Sequence, residues 1–193
     1  VPAIVAELVQ KGPGGPIRVT RQTPVSATID GGDVNGYVVS LVAADKAIEI
    51  ASASGIAVVG ACNTWFSGRL AYYVERIARA GFVAMHTANT AARVAPFGGA
   101  DRILGTNPIA FAFPCGGEPV VLDIGTSGVT WGEALLRQAT GRPLDSGTAV
   151  DSEGRETTDP AAALSGAFLA WGGARGSSLA FAAQLFGILA GSD

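Results

Sequence analysis

Charge is scarce in this sequence, and histidine and cysteine are nearly absent. Only 15% of its 193 residues are charged and the formal net charge is −3. No cluster of Lys and Arg is available to displace counterions from a phosphate backbone, which excludes nucleic acid as a partner. Two cysteines, Cys62 and Cys115, cannot build a disulfide framework. Each follows an apolar run where a small buried thiol is expected, and a reducing, cytoplasmic setting fits. The one histidine, His86, lies far in sequence from either cysteine, so the spacing of a zinc site is missing and no metal is expected. No serine stands in a G-x-S-x-G elbow that would pair with His86, which therefore reads as a structural or site-lining residue. No apolar run reaches the roughly 18 residues that cross a bilayer, and no basic, apolar leader opens the chain. A membrane partner is not expected. Neither G-x-G-x-x-G nor G-x-x-x-x-G-K-[ST] occurs, which removes the Rossmann and P-loop routes to a bound phosphate.

What is abundant is glycine, 27 of 193 residues, about twice the usual share of ~7%. With 48% hydrophobic content, the chain supports a substantial core crossed by many tight turns. The pattern predicts a helix over residues 2–10, extended chain over 17–29, a turn at 30–36 and a helix over 37–54. In that helix Val38, Leu41, Val42, Ala47, Ile48 and Ala51 share a face, with Gly55 as its cap. A buried strand follows at 56–62, then an amphipathic helix carrying Leu70, Tyr73, Ile77 and Ala80. Residues 82–88, 108–114 and 119–125 read as strands and 133–141 as a helix. Asp159 and Pro160 open another helix expected to run to about residue 173, and Ser177 or Ser178 caps the last one. Residues 139–159 form a polar excursion with a short strand at most. Alternating strands and helices indicate an α/β or α+β domain.

Several short stretches can carry chemistry. "DIGTSG", residues 123–128, follows a strand with an acid, a glycine and two hydroxyls. "GGARGSS", residues 172–178, sets a cation and two hydroxyls at the start of a helix. Each alone reads first as a turn with a cap; together, in a chain so poor in charge, they point to a bound pyrophosphate or similar anion. "GTNP", residues 105–108, is turn chemistry or else directs Thr106 and Asn107 into a cleft at a strand entrance. "IDGGD", residues 29–33, reads as a turn, since its acids and Asp151 find no further metal ligands. "CNTWFSG", residues 62–68, is a strand-to-helix turn in which Asn63 and Thr64 cap the helix entry and two aromatics follow.

In order along the chain, "IDGGDVNG", the turn ending in "AYY", "TANTAARVAPFGG", "GTNPIAFAFP", "VLDIGTS", "AVDSEGRETTDP" and "GGARGSSLA" resemble the malate/L-lactate dehydrogenase family of NAD(P)-dependent oxidoreductases. The resemblance implies a non-Rossmann nicotinamide-binding fold, a mixed, largely antiparallel sheet flanked by helices, over a single catalytic and cofactor-binding region, 1–193. It implies hydride transfer between NADP or NAD and C2 of a small 2-hydroxy or 2-oxo acid, or of a cyclic imine carboxylate, by a homodimer with its active site near the subunit interface. A relative that kept the sheet as a binding or structural protein, without chemistry, is the alternative. On the cofactor side it places Asn89, Thr90, Asp123, Ile124, Gly125 and Thr126, with Gly173, Arg175 and Gly176 matching a Gly-x-Lys-Gly in which Arg replaces Lys. Arg93, Arg102 and Arg175 are the cations available to a 2′-phosphate. Trp65, Phe66 and Thr106 would line the substrate. Many members hold an acid/base His where this chain has Phe66, or Trp65 if the turn slips by one, so the catalytic proton donor is left unassigned: it is expected in a further N-terminal segment, or is unnecessary for an imine substrate that brings its own proton on nitrogen. Members usually also carry a further N-terminal helical segment, with a substrate-binding Arg, and a further C-terminal part.

Overall fold

The computed structural model describes residues 2–191. In chain order its elements are α1 (Pro2–Lys11), β1 (Arg18–Gln22), β2 (Ser26–Asn35), α2 (Gly36–Ser54), β3 (Val58–Trp65), α3 (Ala71–Arg79) and β4 (Ala84–Thr87). There follow β5 (Val94–Ala95), β6 (Ile109–Phe113), β7 (Val120–Ile124), α4 (Trp131–Thr140), β8 (Ala149–Val150), α5 (Pro160–Ser165), β9 (Ala167–Leu169) and α6 (Ala174–Leu189). They group into two compact units. The first takes the chain up to His86, Ala110–Leu122 and the residues from Gly187; the second takes Thr87–Ile109 and Asp123–Phe186. The mixed architecture agrees with the expectation from sequence, as three small sheets of three strands. Among the described residues no helix is long and apolar enough to cross a membrane.

In the first unit β2 is the middle strand of its sheet, antiparallel to β1 and parallel to β3. The parallel pair needs a crossover, and α2 supplies it. Asn35 caps α2 by accepting from the Tyr37 N–H at 3.0 Å, and Gly55, at φ 81°, closes it with its N–H on the Ala51 carbonyl. The buried residues of α2 are Gly36, Val39, Ser40, Ala44, Ile50 and Ala51; Ala51 of the expected stripe is among them, while Val38 and Val42 are exposed. The helix is apolar over most of its surface, so its period could not choose a face. Neither cysteine fits the buried reading, since Cys62 is half-buried and Cys115 exposed.

Two expected turns are strand. Residues 30–35 continue β2 through a bulge whose register slips between Asp30 and Val34. Gly32 (φ 58°) and Asp33 (φ 59°) absorb the extra length in the left-handed region. Opposite it, β3 runs past Cys62 to Trp65. Thr64 spends its hydroxyl on the Val34 carbonyl (2.8 Å) and Asn63 its amide on Asp30 (3.0 Å). Neither caps α3, whose first turn has no side-chain cap. The first unit's second sheet has the order β4-β6-β7.

The second unit is built on β9, parallel to β5 and antiparallel to β8. Phe168 of β9 sits with Val94, Leu104, Leu144, Ala149 and Ala180 in the core. Asp159 caps α5 as expected, accepting from the Ala161 N–H at 3.0 Å, with Pro160 at its first position. The helix stops at Ser165, earlier than expected. Gly166 there lies so close to the Val150 carbonyl and Asp151 that a side chain would overlap them, and the next three residues complete the sheet.

Candidate functional site

Four segments of the second unit converge through hydrogen bonds. The Thr90 hydroxyl accepts from the Thr106 N–H at 2.9 Å and lies 3.3 Å from the Thr106 hydroxyl. The Thr106 carbonyl accepts from both the N–H (3.1 Å) and the hydroxyl (2.9 Å) of Thr126. The Thr126 carbonyl in turn accepts from the Trp171 N–H at 2.9 Å. The loops carrying Asn89, Thr106, Gly125 and Gly173 are thus laced into one frame by backbone groups and short hydroxyls.

Asn107 anchors that frame. It is fully buried at φ 27°. Its carbonyl oxygen accepts from the Thr90 N–H at 3.1 Å, and its amide donates to the Ala180 carbonyl (3.0 Å) and to Gln184 (2.9 Å). The reading that aimed Asn107 into a cleft is therefore corrected: all its groups are spent inside. Gly105 is required beside it, because a side chain there would overlap Thr90 and Asn107.

The turn into α6 passes through Gly172 (φ 58°) and Gly173 (φ 62°). Gly176 is buried where any side chain would strike the Trp171 carbonyl. Ser177 and Ser178 lie inside α6 and do not cap it; the Ser177 hydroxyl accepts from the Phe97 N–H (3.1 Å), and that of Ser178 donates to Ala174 (2.8 Å). Thr126 and Ser127 also turn inward, Ser127 to Val129 at 2.7 Å. Of the groups expected to meet an anion, the glycine backbone and exposed Arg175 remain, and among the described residues Arg175 makes no ion pair. Asp123 and Ile124 are exposed at the end of β7, while Asn89 and Gly125 are half-buried.

Arg93 lies over the Trp131 ring, 3.3 Å from its centroid. Burial, with a smaller repulsion from Arg102, holds its guanidinium below the ordinary arginine value. A cleft of about 390 Å³ runs from Gly125 past Thr130 to Glu133, Arg137 and Asp145. Its cation is already matched, Arg137 pairing with Glu133 at 2.7 Å and Asp145 at 3.0 Å, so it offers no free charge to a phosphate.

The remaining candidates, Trp65 and Phe66, belong to the first unit. The Trp65 indole N–H donates to the Asp33 carbonyl at 3.0 Å, and Lys11 lies 5.4 Å from its ring. Asp30 accepts from the Gly32 N–H and the Asn63 amide, which hold its carboxyl below the usual value. Phe66 has φ 53° and Asn63 φ 48°, so with Asp33 three non-glycine residues of one cluster occupy the left-handed region, a concentration of strain typical of functional sites. The Phe66 ring is exposed and meets Tyr37 edge-on, centroids 5.7 Å apart. The Tyr73 hydroxyl donates to the Ser67 carbonyl at 2.6 Å, and burial pushes its pKa up. His86 packs edge-on against Tyr73 at 5.5 Å. Arg69, exposed, makes no ion pair among the described residues. Sequence reasoning missed Tyr37 and Arg69; the only local signal was their place beside glycines.

A family model described as malate/L-lactate dehydrogenase matches residues 5–193. The chain is 42% identical over 142 residues to the (2R)-3-sulfolactate dehydrogenase (NADP(+)) of Chromohalobacter salexigens, covering 73% of this chain and 43% of that protein. It is 43% identical over 139 residues to the Delta(1)-pyrroline-2-carboxylate/Delta(1)-piperideine-2-carboxylate reductase of Pseudomonas aeruginosa, covering 72% of this chain and 42% of that one. The solved sulfolactate dehydrogenase of Methanocaldococcus jannaschii superposes with a TM-score of 0.85 at 35% identity, over 99% of this chain and 56% of its own. The chain spans about half the length of the curated relatives it matches.

Proposed function

The chain belongs to the malate/L-lactate dehydrogenase family, and from that premise we propose that it is an NAD(P)-dependent oxidoreductase of small 2-hydroxy and 2-oxo acids or cyclic imine carboxylates. The observation that carries the reading is the laced frame of Thr90, Thr106, Thr126 and Trp171. It brings together the segments that resemble the family's cofactor side and leaves Arg175 free to pair with a phosphate.

The residues fit a dinucleotide in kind. Gly173 and Gly176 let the chain pack tightly against Phe97 and Trp171 as it enters α6, and the N–H groups of Ala174 and Arg175 in the first turn stand at the positive end of the helix, where phosphate oxygens are favoured. Arg175 adds a planar, two-pronged donor. Asn89, Thr90 and the segment Asp123–Thr126 supply the remaining polar contacts, with Thr106 toward the substrate. Bound there, the nicotinamide supplies or accepts the hydride at C2. In the first unit, Trp65 and Phe66 are the proposed apolar lining for a substrate. The enzyme works in the cytoplasm as a homodimer; exposed Leu185, Ile188 and Leu189 on α6 support burial against further polypeptide.

Titration of the full-length protein with NADPH and NADH, read by nicotinamide and tryptophan fluorescence, tests the reading. Saturable binding that weakens at least tenfold in Arg175→Ala is expected. Absence of binding at millimolar cofactor would leave a family relative without redox chemistry.

A further inference from the structure

Reducing a carbonyl requires a proton as well as a hydride, because the oxygen becomes an alkoxide as C2 accepts the hydride. Phe66, at the centre of the aromatic turn, has no proton to give. Its protic neighbours are mostly committed. The Trp65 indole donates to Asp33, Thr64 to Val34, Asn63 to Asp30 and Tyr73 to Ser67. Ser67 retains an aliphatic hydroxyl, a far weaker acid than a phenol.

Tyr37 differs from all of these. Its ring meets Phe66 edge-on, and it rests on Gly68, where any side chain would overlap the phenol ring. The backbone beneath is just as close: a side chain on Gly36 would come within 2.8 Å of the Ser67 Cα. The phenol is therefore positioned by the turn itself. Its hydroxyl makes no hydrogen bond among the described residues, and the residue is 45% exposed, open both to a substrate and to water. Tyr37 is also the second residue of the 19-residue helix α2.

We propose that the Tyr37 hydroxyl is the proton donor to the substrate oxygen. The inference rests on the oxidoreductase reading above. A bound reduced nicotinamide would supply the hydride to C2 and be oxidised in doing so. The carbonyl π pair moves to oxygen, which takes the proton from Tyr37 Oη, and the phenolate recovers a proton from solvent. The 2-oxo acid would thereby be reduced to the 2-hydroxy acid. In the oxidative direction the phenolate acts as base.

The test uses the full-length protein with NADPH and two kinds of substrate: pyruvate or 3-sulfopyruvate as 2-oxo acids, and Δ1-piperideine-2-carboxylate as an imine already protonated on nitrogen. Tyr37→Phe keeps the ring and its contacts. It is expected to lower kcat on the oxo acids by about 10² to 10⁴-fold, at least tenfold more than on the imine, with NADPH affinity and melting temperature unchanged. Gly68→Ala, which displaces the phenol without removing it, is expected to lower the oxo-acid rate in the same sense. An oxo-acid rate within about fivefold of wild type in Tyr37→Phe overturns the proposal, as does an equal loss on both substrate kinds. NADPH binding without turnover in the wild type defeats the proposal alone; failure to bind NADPH defeats the oxidoreductase reading and the proposal with it.

Discussion

The second unit holds its candidate residues with buried polar groups, and the first holds its own with strained backbone under exposed rings. Around Thr106 each hydroxyl has a partner inside the protein, and Asn107 is sealed from water with three bonds. Each such bond contributes only ~1 kcal/mol net, yet leaving its partner unpaired in the interior costs about 1–3 kcal/mol. Such a frame has one good arrangement. In the first unit, Asp33, Asn63 and Phe66 stand in the left-handed region, at roughly 1–3 kcal/mol each. What they hold outward, Tyr37 and Phe66, is exposed. A buried network tolerates few substitutions, whereas an exposed surface can change its side chains without unseating one.

Breaking the buried frame should give the largest effect. Asn107→Ala removes three bonds, strands the Thr90 N–H and puts a less tolerant residue at φ 27°. A loss of about 3–5 kcal/mol is expected by chemical denaturation; a loss below ~1 kcal/mol would mean that the network is not what holds these loops. In the first unit the counterpart is Asn63→Ala, which loses the bond to Asp30 and strains φ 48°. A smaller cost, about 1–2 kcal/mol, is expected, and an effect equal to that of Asn107→Ala would erase the contrast. Thr126→Val keeps the shape and deletes only the hydroxyl bond to Thr106. It should cost ~1 kcal/mol and weaken cofactor binding; unchanged affinity would confine Thr126 to scaffolding.

The smallest effect concerns acid. The Gly32 N–H and then the Asn63 amide hold the Asp30 carboxyl below its ordinary 3.8. Its contribution is complete above that value and disappears as pH falls through the lowered one. Asp30→Asn should therefore reduce stability at neutral pH and flatten its decline below about pH 4. An unaltered acid limb in an unfolding series would detach Asp30 from the bulge.

Caps and glycine ends were readable from sequence because they are local. Gly55 and the Asp159–Pro160 pair act within one turn of their helices, and the structure keeps them. What failed depended on partners distant in the chain. Residues 30–35 look like a turn because glycine and left-handed Asp33 are turn chemistry, yet the facing strand converts them into a bulge. Residues 167–169 look like the continuation of a helix until β5 and β8 pair with them. Ser177, an apparent cap, is claimed by Phe97, 80 residues away. The site followed the same rule: its motifs were visible one by one, but no local pattern announces that Tyr37 leans on a glycine at position 68.

Phe66 carries one more consequence, for how this protein could change. A bulky aromatic at φ 53° is a standing thermodynamic loss, and Gly or Asn there would relax the backbone. Selection for heat tolerance alone would push the position toward glycine and remove the exposed ring. Mutational drift at residue 66 thus becomes a gauge: persistence of a large side chain under thermal selection would reveal that its surface, rather than its fold, is what is being kept.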